Sequence, residues 1–191
     1  MNNTDKAFTD DERALLGSLI DQELITLDAC IAARGDMAWN TVRLHTAGKA
    51  VDLNNTLGEI VVDEFGTLDE FGLMSVTMSD QGVLEIPEVS SDTSVISVGK
   101  KIRSVRVVND VITIYGDEVA VAKIRYPQAV ILDLGDEFLV LDKETWFEET
   151  ISIKAGQNAM DLVYDDTVNW ADDPEEDPTT HYEAGIEVEM I

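Results

Sequence analysis

The chain has a single cysteine, Cys30, so no internal disulfide can form and no multi-thiolate metal site can be built. A reducing compartment fits that usage. Histidine is nearly as scarce, leaving His45 and His181 as the only imidazoles for acid–base work. No apolar run approaches the ~20 residues that span a bilayer. The opening MNNTDKAFTDDERALL has no apolar core of a secretory signal, and the expected location is cytoplasmic. The sequence contains no G-x-S-x-G, P-loop, G-x-G-x-x-G, H-E-x-x-H or EF-hand spacing. With no catalytic residues and no cofactor indicated, enzyme activity is the third-ranked reading.

The scarcest resource is positive charge. Thirteen Lys and Arg face 39 Asp and Glu, a formal net charge of −26. Nucleic acid and anionic membranes are poor partners for such a surface, because binding them depends on bases at the phosphates. Lys100, Lys101, Arg103 and Arg106 form the one basic cluster. At alternating strand positions they divide between two faces, and they are expected to pair with the protein's own acids.

What the chain has in quantity is short β-branched segments: VISV, IRSVRVV, VITIY, VAVAKI, AVILDL, FLVL and TISI, between Val95 and Ile153. Period-two alternation bounded by turn residues predicts strands. Asn109-Asp110 reads as one two-residue hairpin turn and Gly135-Asp136 as another, with glycine where a type II′ turn needs it. The second hairpin would place Val130, Leu132, Leu139 and Leu141 on one face and Ile131, Phe138 and Val140 on the other. Both faces are apolar, so it should be covered on both sides.

Upstream, Thr9 and Glu12 form a capping box. Leu16, Ile20, Leu24, Leu27 and Ile31 follow at spacings of three and four, predicting a helix over about 10–34 closed by Gly35. Trp39, Val42, Thr46, Ala50, Leu53 and Leu57 predict a second, antiparallel helix. The fold class read from the sequence is therefore α+β: an N-terminal helical hairpin on a mainly antiparallel sheet of five or more strands. Its divisions are a disordered tail (1–8), the hairpin (9–58), a β-rich body (59–164) and an acidic segment (165–191). That last segment is partly disordered and can end in an edge strand, since Ile186, Val188 and Met190 alternate with glutamates.

Lys154 is the last base, and eleven acids follow it. Asp172, Asp173, Glu175, Glu176 and Asp177 are the candidate partner-binding residues. Their prolines, and the absence of a glycine-turned loop, favour a solvated acidic face over a cation site, so no metal is expected. The leading expectation is a non-catalytic acidic module that binds a protein with a basic surface, as inhibitor, immunity and DNA-mimic proteins do. The alternative is an assembly subunit that homo-oligomerises through the helical hairpin. Cys30 reads as a small buried hydrophobe, and both histidines read as surface or helix-face residues.

Overall fold

The computed structural model describes residues 1–31, 37–61, 67–80, 84, 93–145, 147–165 and 180–191. These residues form one sheet of eleven strands. In chain order the strands are β1 (Asn2–Asp5), β2 (Glu23–Ile31), β3 (Met37–Thr46), β4 (Ala50–Val61), β5 (Thr67–Met78) and β6 (Thr93–Lys101). They continue with β7 (Ser104–Gly116), β8 (Val119–Asp133), β9 (Phe138–Asp142), β10 (Thr150–Gly156) and β11 (Thr180–Met190). One short helix, α1 (Asp10–Gly17), precedes β2, and a 3-10 turn (Ala159–Asp161) follows β10. The main path runs β11-β7-β8-β9-β10-β3-β2-β6. Every pairing is antiparallel except that of β1 with β8. No described helix is long and apolar enough to cross a membrane.

The antiparallel sheet stands, but the helical hairpin does not. The capping box is real: Glu12 N–H donates to the Thr9 hydroxyl (3.3 Å) and Thr9 N–H to the Glu12 carboxylate (2.8 Å). Yet α1 ends at Gly17, and the remainder of the expected first helix turns into β2. Irregular strands imitate helical spacing. A register shift between Leu24 and Thr26 moves the inward position from Leu24 to Leu27, a step of three. In β3, Asn40 takes a left-handed φ of 56°, and the inward positions step by four, from Ala38 to Val42. The expected junction at Arg34, Gly35 and Asp36 lies outside the described residues. Replacing Thr9 with alanine should still cost about 1 kcal/mol in urea unfolding, because the cap serves the shortened helix equally well.

Backbone irregularities also mark the branch points of the sheet. Before Asn40, β3 pairs with β10; after it, with β4. In β8 the shift lies at Pro127 and Gln128, where Val108 faces Ala129 and Asn109 faces Pro127. The proline's missing N–H is tolerated at such a bulge. On one edge of β8, Ala122–Arg125 pairs with β1 and Ala129–Asp133 with β9.

Asn109-Asp110 is no turn. Strand β7 runs straight through it, and both residues are buried. The chain reverses instead at Asp117-Glu118, whose positive φ values (48° and 64°) suit a tight hairpin. Gly135-Asp136 does turn the chain, with Gly135 at φ 97° and Leu134 N–H donating to the Glu137 carbonyl (2.9 Å). The β8–β9 register pairs Val130 with Leu141 and Leu132 with Leu139. Asn2–Asp5, expected as part of a disordered tail, is β1.

One core gathers Leu24, Leu27, Val42, Leu44, Val51, Leu53 and Val76 with Val105, Val107, Val130, Leu132, Leu139 and Leu141. Phe8, Leu16 and Leu19, within and beside α1, join it. The opposite face of β7–β9 is covered too. Ala159, Leu162 and Val163 pack over Val108, Ala129, Ile131 and Val140. Ile60 and Phe71, from β4 and β5, pack on Ile112, Ile124 and Tyr126. The two-sided cover expected for the second hairpin thus exists, supplied by the core and by chain after β10 rather than by helices.

Candidate protein-interaction face

The five acids from Asp172 to Asp177 singled out in the sequence lie outside the described residues. The other sequence candidates are placed. Cys30 is buried on β2. The His45 Nε2 lies 2.8 Å from Asp28, on the side of the sheet where buried Arg43 makes a forked pair with Asp52 (2.7 and 2.9 Å). That pairing holds the Arg43 guanidinium above its ordinary pKa, hydrogen bonding to Asp52 outweighing the opposing cost of burial. His181 stacks on Tyr115, ring centroids 4.5 Å apart. Two of the four residues of the basic cluster pair with the protein's own acids, as expected, and the two arginines are placed otherwise. Lys100 binds Asp136 and Glu137 (2.9 and 2.7 Å), and Lys101 binds Asp21 (2.8 Å). Arg106 lies over the Phe138 ring, and the Arg103 guanidinium fills the space a side chain at Gly135 would need. Hydrogen bonding to Glu137 and Asp136 raises the Lys100 pKa, and the Lys100 bond correspondingly lowers that of Asp136.

A connected ionic group missing from the sequence reading forms where β1, α1, β8 and β11 meet. Arg13 joins Asp10 (3.2 Å) to Glu189 (2.9 Å). Arg125 reaches Asp5 (3.5 Å), Glu187 (3.0 Å) and Glu189 (3.5 Å), and Lys123 lies 3.9 Å from Glu187. Close by, Glu183 accepts a hydrogen bond from the Tyr115 hydroxyl (2.7 Å), which raises the tyrosine pKa. Register explains the assembly: Gly185 and Arg125 both oppose Val111, so the odd-numbered side chains of β11 share a face with Arg125 and Lys123. The period-two glutamates were visible in the sequence. That they sit beside bases some sixty residues away was not, because only the strand order brings them together.

A second polar group is built on the buried side chains of Lys143, Asp142 and Gln128. Lys143 is fully buried, its ammonium donating to the Gly72 carbonyl (2.7 Å) and lying 4.1 Å from the Tyr126 ring centroid and 5.0 Å from that of Phe71. Its neighbour Asp142, also buried, accepts from Gln128 Nε2 (3.0 Å), Lys154 Nζ (3.2 Å) and Tyr164 N–H (3.0 Å). Burial pushes the Asp142 pKa up to about 6, against the opposing pull of Lys154 and these hydrogen bonds. Gln128, on the β8 bulge, also donates to the Lys143 carbonyl. This group ties β5, β8, β9 and β10 together. Among the described residues, no cluster of three or more His, Cys, Asp or Glu side chains could hold a metal ion. No family model matches the chain, and no curated protein or solved structure shows significant similarity to it.

Proposed function

We propose that this chain is a non-catalytic acidic module that binds a protein with a basic surface, in the manner of inhibitor, immunity or DNA-mimic proteins. The observation supporting this is the inward commitment of its bases. Arg13, Arg43, Lys100, Lys101, Lys123, Arg125 and Lys154 all contact the protein's own carboxylates. Asp11, Glu23, Glu59, Asp117, Glu118 and Asp161 meanwhile stand exposed. The acids in excess of these pairs face solvent, and a negative field of this kind steers basic partners.

The five acids from Asp172 to Asp177 belong to this reading. Changing Asp172, Asp173, Glu175, Glu176 and Asp177 to Asn or Gln should slow association with a partner captured from host lysate at low salt. The expected loss is about tenfold in on-rate, with little change in off-rate. It should vanish well above ~0.15 M salt, where screening shortens the reach of exposed charge. An unchanged on-rate at low salt would remove these five acids from the site. Failure to capture any salt-sensitive partner would end the proposal.

A further inference from the structure

The two ends of the main strand path are built differently. Strand β6 closes one end and carries Lys100, Lys101 and a left-handed Gly99, with a register shift against β2. These devices discourage edge-to-edge pairing, even though Val95 is exposed there. Among the described residues, strand β11 closes the other end with none of them. It runs eleven residues without lysine, arginine or proline, and its register with β7 is unbroken from Thr180 to Met190. The chain continues the same ladder at Ile191, whose N–H donates to the Val105 carbonyl (3.1 Å). Antiparallel geometry then turns the odd-numbered backbone groups of β11 toward β7 and those of Ala184, Ile186, Val188 and Met190 outward.

The side chains alternate as well. Ile186, Val188 and Met190 are 43%, 50% and 60% exposed on one face. Glu183, Glu187 and Glu189 occupy the other. We infer that residues 184–190 of β11 are a docking edge, to which a partner segment alternating basic and apolar residues adds as a further strand. Added strands take affinity from main-chain hydrogen bonds and specificity from alternate side chains. The apolar positions of such a segment would extend the Ile186–Met190 row, and its bases would face the glutamates. Charge selects this occupant. The glutamate face of β11 and its surroundings hold Asp5, Asp10, Glu183, Glu187 and Glu189 against Arg13, Lys123 and Arg125, which leaves the face net acidic. A second copy of the chain would set one glutamate face against an identical one, within a protein of net charge −26.

The inference rests on the acidic-module reading and can fail separately from it. The probe is a short capped peptide of alternating lysine and valine, with a control peptide of the same composition in which the lysines are grouped. In ¹⁵N-labelled protein, the alternating peptide should slow exchange of the Ala184, Ile186, Val188 and Met190 amides by about tenfold or more, and the control should not. Val188→Pro removes an outward N–H while leaving the β7 ladder its donors, and should weaken the alternating peptide at least about tenfold. Ile186→Lys with Val188→Lys, which guards the edge as β6 is guarded, should do the same. Retained exchange protection in β7 and β8 checks that both variants fold. Equal binding by wild type and both variants, without amide protection, would overturn strand addition and leave the acidic reading standing. No binding of either peptide at low salt would overturn both. Protection of these amides without peptide, together with a doubled mass, would overturn the inference by making β11 a self-interface.

Discussion

Replacing Lys143 with alanine should destabilise the protein by about 3–5 kcal/mol, the range for truncating a large, fully buried side chain. At roughly 2–4 °C per kcal/mol for a chain of this size, the melting temperature should fall by roughly 6–20 °C. Three contributions combine. The alkyl stem fills space between β5 and β8, the ammonium lies against the Tyr126 and Phe71 rings, and the Gly72 carbonyl accepts its hydrogen bond. Lys143→Met separates them. It restores most of the volume but leaves the carbonyl unpaired, so about 1–3 kcal/mol of the loss should persist. A Lys143→Ala protein that unfolds at the wild-type urea concentration would show that the cage contributes nothing.

Acidification should act on the adjoining carboxyl in the opposite sense to the usual acid denaturation. The Asp142 pKa is raised from an ordinary 3.8 to about 6 in the folded chain. Between those values the folded state holds a proton that the unfolded state has released. The penalty for this buried charge is therefore fully present above pH 6, eases as pH falls through 6, and is gone near the unfolded value. A shift of this size corresponds to about 3 kcal/mol. Urea unfolding of wild type and Asp142→Asn between pH 7 and 4 isolates the effect, since the relief of general charge repulsion on acidification is common to both. The stability difference should move by up to about 3 kcal/mol in favour of wild type as pH falls. A difference that stays flat would mean the carboxyl is in contact with water.

What the sequence made legible was local. The Thr9–Glu12 cap depends on residues three apart, and the β8–β9 hairpin on a glycine at its turn with clean alternation on either side. The misreadings arose where the backbone is irregular. Spacings of three and four around Ile25 and Asn40 match a helix face as well as a kinked strand, and no neighbouring residue separates the two. Asn109-Asp110 has turn chemistry by type, yet the pair lies in the middle of a thirteen-residue strand. The Lys143 cage was hidden for another reason. Lysine reads as a surface residue unless its partners are known, and Phe71 and Tyr126 are distant in the chain. The alternating glutamates of β11 were plain, but their position at an unguarded end of the sheet is a property of strand order.

The parallel pairing of β1 with β8 has a consequence for biosynthesis. Residues 2–5 leave the ribosome long before their partners, Ala122 to Arg125. At about 5–20 residues per second, the first strand waits roughly 6–25 seconds for an edge to join. The second branch point imposes a similar delay, because Met37, Ala38 and Trp39 pair with Ser152, Ile151 and Thr150. Closure of the sheet is thus a late event dominated by distant contacts, which slows folding. A chain stalled before residue 122 would expose β1 with no mate, and would be marked for aggregation or degradation rather than for storage as a partly finished domain.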